Sequence, residues 1–292
     1  MAGLVVGGVT ITHPERKVFG EDGPSKGEVA AYYEAVARWM LPELRHRPLS
    51  LVRCPQGSTG PCFFQKHHAG TLGAHVHPVT LEEKGGDEAE YIYVDDVRGV
   101  LELVQMNTLE FHPWGARADT PDKPDRMIFD LDPAKGVAWK AVVAAARAIR
   151  EHLSAAGLES FVRSSGGKGL HVVAPIRPGP PWAKVKSFCE GVADALVAEK
   201  PKLYIAEASK AKRDGLIFID WLRNTRGATS VTGWSLRARP GAPVAMPLRW
   251  EEIARLKSGG AFDLTKALKR AKALEADPWE GIATLKQALP SG

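Results

Sequence analysis

Three aspartates dominate the chemistry available to this chain. Asp130-Leu131-Asp132 follows the apolar run Met127-Ile128-Phe129, and Asp220 closes a second apolar run, Leu216-Ile217-Phe218-Ile219. Residues i and i+2 of a strand project to the same face, so Asp130 and Asp132 should stand side by side. Two carboxylates about 4 Å apart repel by roughly 4 kcal/mol at an effective dielectric of about 20. Taken alone, Asp130-Leu131-Asp132-Pro133 reads as a strand end followed by a helix cap. A third acid at the end of another apolar strand shifts that balance, because a carboxylate there is costly to bury unpaired. Hard divalent cations relieve such a cluster. They also hold triphosphates and activate hydroxyls in phosphoryl transfer.

Other segments offer groups suited to the same chemistry. Arg163-Ser164-Ser165-Gly166-Gly167-Lys168-Gly169-Leu170-His171 carries a glycine turn. Its backbone N–H groups, with Ser165 and Lys168, could cradle phosphate oxygens. It is not a Walker A loop, since no Ser or Thr follows the lysine and a strand comes next. Taken by itself, it is a hairpin turn with an incidental lysine. Arg237 and Arg239 alternate on an extended segment and so present two guanidiniums to one side. Phe63 and Phe64 on a strand point opposite ways, so one ring could be core and the other exposed to stack a base, unless both pack inside. Lys212-Arg213-Asp214-Gly215 matches the KxDG signature of a covalently adenylated lysine, but later motifs of that class are missing. His67, His68, His75 and His77 with Cys62 fit no regular finger spacing, so zinc is not expected.

A readable series of elements must position these groups. Strand Arg126–Asp132, a helix from about Val137 to Ala156, strands Ser160–Ser164 and Leu170–Ala174, a helix from about Trp182 to Glu199 and strand Leu216–Asp220 follow in order. That order is the split β-α-β-β-α-β motif. It puts the first strand between the third and the fourth, and the fourth antiparallel to the first, with the register left open. The expected class is α+β: a ferredoxin/RRM-like core (115–240), an N-terminal β-rich subdomain (1–114) and a C-terminal helical segment (241–292). In the first part Val5–Ile11, Leu49–Arg53, Tyr91–Val94 and Leu101–Gln105 read as strands. Ser25 and Glu28 form a capping box for a helix behind them. Glu82 to Glu88, centred on Gly85-Gly86, reads as an exposed turn. Helices are expected near Trp250–Lys257, Leu264–Leu274 and Trp279–Leu289.

Bulk properties narrow the class. The chain has 292 residues, 44% of them hydrophobic, with a formal charge of +5. That is enough for one or two domains, and the excess of base tilts toward a polyanionic partner. Three cysteines argue against a disulfide scaffold and suit a reducing compartment. No apolar run approaches the roughly 20 residues of a membrane span, and the N-terminus lacks the features of a signal peptide. The cytoplasm is therefore expected.

As an ordered set, several motifs closely resemble the polymerase domain of bacterial DNA ligase D, in the archaeo-eukaryotic primase superfamily. They are Thr12-His13-Pro14-Glu15-Arg16-Lys17, Cys62-Phe63-Phe64-Gln65-Lys66, Thr108-Leu109-Glu110-Phe111-His112, Phe129-Asp130-Leu131-Asp132, Ser165-Gly166-Gly167-Lys168-Gly169-Leu170-His171, Ile219-Asp220-Trp221 and Ser235-Leu236-Arg237-Ala238-Arg239. The resemblance implies template-directed addition of nucleotides, ribonucleotides preferred, to DNA 3′ ends during gap filling in non-homologous end joining. It implies two manganese or magnesium ions held by Asp130, Asp132 and Asp220. Nucleotide contacts would fall on Arg53, His112, Ser165, Lys168, Arg213, Arg237 and Arg239. Lys17 or Arg16, the doublet leaving the register open, resembles with Lys26 a 5′-phosphate pocket, Phe63 and Phe64 a template-stacking pair, and the Gly85-Gly86 loop one that helps bring two ends together. Implied partners are DNA ends with a 5′-phosphate, NTP or dNTP, Ku, and the ligase and nuclease modules of ligase D; no membrane is involved. His13 departs from the asparagine frequent in relatives. The chain carries no ligase or nuclease module and reads as an excised domain or a stand-alone relative. Two alternatives stay open: covalent adenylyl transfer through Lys212, and non-catalytic single-strand binding.

Overall fold

The computed structural model describes residues 3–70, 72–83 and 85–290. The chain divides into two compact units: Met1–Trp114 with Val231–Ala245 and Phe262–Glu275, and Gly115–Ser230 with Met246–Ala261 and Ala276–Gly292. The fold is α+β.

In the first unit, strands β1 (Leu4–Val6) and β2 (Val9–Ile11) form a hairpin. A single strand was expected over Val5–Ile11. Gly7 and Gly8 take positive φ (53° and 83°), the geometry of a two-residue hairpin turn, and fold the segment back. Helix α1 (Lys26–Leu44) starts at the expected capping box, where Ser25 accepts from the Glu28 N–H and Glu28 accepts from the Ser25 N–H. It buries Val29, Tyr32, Tyr33, Val36 and Met40. A five-stranded sheet combines β3 (Leu49–Arg53), β4 (Phe63–Gln65), β5 (Val76–Glu82), β6 (Glu88–Val94) and β7 (Thr108–Pro113). The Glu82–Glu88 segment is the turn of the β5–β6 hairpin, with Lys84 outside the described residues.

Leu101–Gln105 belongs to a helix, α2 (Val97–Gln105), where a strand was expected. Short apolar runs satisfy both periods. Here Asp96 decides, capping the first turn by accepting from the Gly99 N–H at 3.0 Å. Cys54 and Cys62 are joined in a disulfide, which the cysteine count did not suggest. The register of β3 against β4, pairing Arg53 with Phe63, brings the two sulfurs together.

The second unit is built on β8 (Arg126–Pro133), α3 (Trp139–Ala155), β9 (Phe161–Ser164), β10 (Leu170–Pro175), α4 (Trp182–Glu199), β11 (Tyr204–Ile205), β12 (Ile217–Asp220) and β13 (Met246–Leu248). Its six-stranded sheet runs β11-β12-β8-β10-β9-β13. The first core strand, β8, lies between the third, β10, and the antiparallel fourth, β12, as the motif required. Phe129, Leu131, Leu170, Val172 and Ile219 alternate away from the aspartates and are fully buried, with α3 and α4 packed on the sheet. Near Trp250–Lys257 only a 3-10 turn forms, Ile253–Arg255, while helix α5 (Leu264–Ala273, in the first unit) matches expectation. Trp279–Leu289 is not a helix. Gly281 at φ 90° breaks it. Side chains pin the segment instead: Trp279 Nε1 donates to the Val162 carbonyl, and the Gln287 amide to the Glu159 and Pro175 carbonyls.

Candidate nucleotidyl-transfer site

Strand register makes the central feature. Asp220 on β12 is the direct partner of Asp130 on β8, which is the partner of His171 on β10, which is the partner of Arg163 on β9. Direct antiparallel partners share a face, with Cβ atoms about 4.5–5.5 Å apart. Four polar side chains therefore form one row across four strands. Asp132 shares the face, opposite Phe218.

Each acid meets a guanidinium. Arg223 Nη2 lies 3.3 Å from Asp130 Oδ2 and its Nε 3.1 Å from Asp220 Oδ2. Arg213 Nη1 lies 3.4 Å from Asp132 Oδ2, and its Cζ stacks 3.6 Å above the Phe218 ring. Burial pushes the Asp220 carboxyl above its ordinary value; Arg223 opposes the shift and the Asp130 charge adds to it. The row thus wants positive charge. The donor set is all oxygen, as a hard dication prefers, and the two arginines mark where cations are welcome. Among the described residues, no three His, Cys, Asp or Glu side chains are gathered closely enough to hold a metal ion as they stand. The fit rests on donor chemistry and register, and adjustment of the side chains about Arg223 and Arg213 must complete it.

The far end of the row is rigid. Arg163 Nε–H donates to His171 Nδ1 at 3.1 Å, and Ser230 Oγ lies 3.0 Å from the same nitrogen. With Nδ1 accepting, the ring proton sits on Nε2, 3.4 Å from Asp130 Oδ1. Burial lowers the His171 pKa, with Asp130 opposing. Sequence reasoning gave Arg163 no role. Its signal was the hairpin count across the glycine turn, which makes residues 163 and 171 partners. Arg223 was likewise passed over, three residues beyond Asp220.

The turn itself sits beside β8, where Leu170 pairs with Leu131. A Cβ on Gly169 would collide with the Leu131 carbonyl, so only glycine lets the turn approach so closely. Ser165 is buried, and its Oγ accepts from the N–H groups of Gly167 and Gly169, both at 3.2 Å. It thus shapes the turn, while Lys168 stands exposed on it.

In the first unit, Val52 pairs with both Phe64 and Glu110, so Phe64 and Glu110 share a face with His112 two residues on. Both phenyls are exposed (Phe63 46%, Phe64 69%), not divided between core and solvent as alternation suggested; among the described residues β4 pairs with β3 alone, at the edge of the sheet. Phe64 meets the His112 ring edge-on and Arg53 lies over Phe63. Glu110, given no role from sequence, is the hub. It accepts from Arg237 Nε at 2.8 Å and the Ala238 N–H at 2.7 Å, and it lies 2.8 Å from His112 Nε2. Burial would raise its pKa, but His112 and Arg237 hold it at about 2. Arg239 is exposed.

Lys26 is buried at the start of α1, and its N–H donates to the Arg16 carbonyl. Burial first, and then the Arg16 charge, lowers its pKa to about 8. Arg16 donates to the Pro55 carbonyl and to Asn107, and Lys17 lies 3.7 Å from Glu28. A helix N-terminus, a buried ammonium and an arginine are the kinds of group an anion seat would use. His13 holds φ 51°, a left-handed conformation that asparagine also adopts readily. Lys212, by contrast, is exposed and paired with Glu207 at 2.6 Å. A cavity of about 720 Å³ lined by Arg177, Lys184, Phe188 and Leu289 contains none of the aspartates. Among the described residues, no helix is long and apolar enough to cross a membrane.

Comparison with known proteins gives a consistent picture. Residues 25–279 match the family described as LigD, primase-polymerase domain. The multifunctional non-homologous end joining protein LigD of Pseudomonas aeruginosa is 34% identical over 283 residues, 97% of this chain and 34% of that protein. Its counterpart in Mycolicibacterium smegmatis is 30% identical over 248 residues, 84% of this chain and 32% of that protein. The chain thus spans about a third of the length of these curated relatives. The solved polymerase domain from Mycobacterium tuberculosis Ligase D in complex with DNA matches with a TM-score of 0.87 at 28% identity, covering 94% of this chain and 98% of that one.

Proposed function

Because this chain belongs to the LigD primase-polymerase family, we propose that it is a template-directed nucleotidyltransferase that extends DNA 3′ ends. Gap filling in non-homologous end joining, with ribonucleotides preferred, is the setting. The observation that carries the reading is the pairing of Asp220 with Asp130, which sets acids from two strands on one face with Asp132 beside them. Asp130, Asp132 and Asp220 would hold two divalent ions, manganese or magnesium. When bound, these supply charge neutralisation at the triphosphate and a lowered pKa for the primer hydroxyl.

The chain's own residues supply positioning and charge, so no protein nucleophile is needed. His171, locked by Arg163, orients Asp130. The Gly166–Gly169 turn and Lys168 meet the triphosphate, and Arg53, His112, Arg213, Arg237 and Arg239 offset charge on the nucleotide and the departing pyrophosphate. Glu110 fixes His112 and Arg237 for that task. Phe63 and Phe64, both exposed, suit stacking on template bases. The Lys26–Arg16–Lys17 seat suits a 5′-phosphate. The relative solved with DNA supports DNA as partner. Ku and the ligase and nuclease modules of ligase D are partners proposed from the resemblance alone.

The test is primer extension on a gapped, 5′-phosphorylated duplex with manganese, comparing NTP with dNTP. Asp130→Ala should abolish extension and leave DNA binding largely intact. Normal extension by that variant ends the proposal. Lys26→Ala should erase the preference for a 5′-phosphorylated gap.

A further inference from the structure

We propose that Arg223 is the built-in counter-cation of the aspartate row, occupying the seat that a divalent cation takes and leaving it when the cation binds. This rests on the metal reading above.

Asp130 and Asp220 are direct cross-strand partners, and such a pair of like charges destabilises a sheet. Arg223 bridges them, contacting the Oδ2 atom of each. These are the oxygens any cation shared by the two strands would need. A guanidinium spreads one positive charge over a plane, whereas a dication concentrates two at a point and binds carboxylate oxygens directly. The two cannot hold the same oxygens at once.

The anchoring of Arg223 is divided in a way that suits displacement. Its backbone is pinned. The flanking 3-10 turn Leu222–Asn224 is fixed by Asn224, which accepts from the Ile128 N–H and donates to the Ile128 carbonyl, both at 2.8 Å. Asp220 Oδ1 accepts from the Leu222 N–H at 3.0 Å. The side chain is held loosely. Its Nε, although buried, is not aimed at an acceptor, so its approach to Asp220 is Coulombic and not a hydrogen bond. Nη1 reaches the Thr229 carbonyl only at 3.4 Å. The side chain is already 40% exposed. Arg163, on the same face, is 2% exposed and bonds His171 and Ser230. One arginine is a strut; the other is a removable tenant.

Linkage makes the idea measurable. Whatever Arg223 contributes to the metal-free protein is subtracted from the metal's apparent affinity. Its removal should therefore weaken the metal-free fold and tighten metal binding, opposite signs that a merely structural residue does not produce.

The experiment uses the intact chain without nucleotide or DNA. Mn²⁺ binding is read by electron paramagnetic resonance of the free ion, and thermal unfolding is followed with and without saturating Mn²⁺. The wild type should bind Mn²⁺ and Asp130→Ala should lose that binding. Arg223→Gln should bind Mn²⁺ about three- to fivefold more tightly than the wild type, the scale of one half-exposed ion pair. Its metal-free melting temperature should fall, and the deficit should close at saturating Mn²⁺. Arg223→Lys, which keeps the charge but not the fork, should tighten binding by a smaller factor and serves if the glutamine variant does not fold. Unchanged or weaker Mn²⁺ affinity in both variants, with an equal melting deficit at all Mn²⁺ levels, overturns the counter-cation role alone. Equal Mn²⁺ binding by the wild type and Asp130→Ala overturns the metal reading with it.

Discussion

Glu110 carries a negative charge inside the first unit and justifies it with three partners: His112, Arg237 and the Ala238 N–H. Its pKa of about 2 makes it a pH reporter. A carboxyl depressed in the folded state contributes stability that is fully present above the unfolded value, about 4.5, and is lost as pH falls toward 2. Glu110→Gln should therefore remove roughly 2–4 kcal/mol at neutral pH, seen in urea unfolding. The loss relative to the wild type should shrink as pH drops below about 4.5, the unfolded value. Under the proposed function it should also raise the KM for nucleotide more than it lowers kcat, since Arg237 would lose its brace. Lys26 has the opposite sign. Its folded pKa is about 8 against 10.5 unfolded, so the cost of its buried charge is complete below about 8 and disappears as pH climbs toward 10.5. An anion in its seat favours the ammonium. Affinity for a 5′-phosphorylated end should accordingly weaken as pH rises from 8 to 9.5, and a flat profile there would remove Lys26 from the pocket.

Among the elements, β4 is weakly supported. It has three residues, both its phenyls are exposed, and among the described residues it pairs with β3 alone. The Cys54–Cys62 disulfide ties it down one residue before it begins, closing a loop with a sequence separation of 8. A loop that short is worth about 2–3 kcal/mol of chain entropy. Reduction, or Cys62→Ser, should lower the melting temperature by several degrees and speed proteolysis within residues 54–65. Identical cleavage of oxidised and reduced protein would show that β4 needs no such tie. The sheet of the second unit needs none, because β8 and β10 pair over six residues and helices cover its apolar face.

The chain as a polyelectrolyte carries a net charge of only +5, so DNA affinity must come from placed cations more than from bulk charge. The salt slope of binding should therefore be shallow, and Lys26→Ala should reduce it by about one if that ammonium meets a phosphate. The sequence alone was sufficient for the split β-α-β-β-α-β core, because each apolar run there has one strong period and clear ends. Trp182–Glu199 is the helix expected, and β8, β10 and β12 fall within a residue or two of their predicted bounds. It also supplied the three aspartates, since carboxylates ending apolar strands advertise themselves. It failed where a short segment fits two periods, as at Leu101–Gln105, or where a glycine redirects the chain, as at Gly7-Gly8 and Gly281. What it could not supply were the partners: Arg223 across Asp130 and Asp220, Arg163 behind His171, and Glu110 between His112 and Arg237. The physical reason is that a residue's type and spacing are local, whereas register and charge pairing join residues far apart along the chain, 127 positions for Glu110 and Arg237, which meet only once the chain has folded.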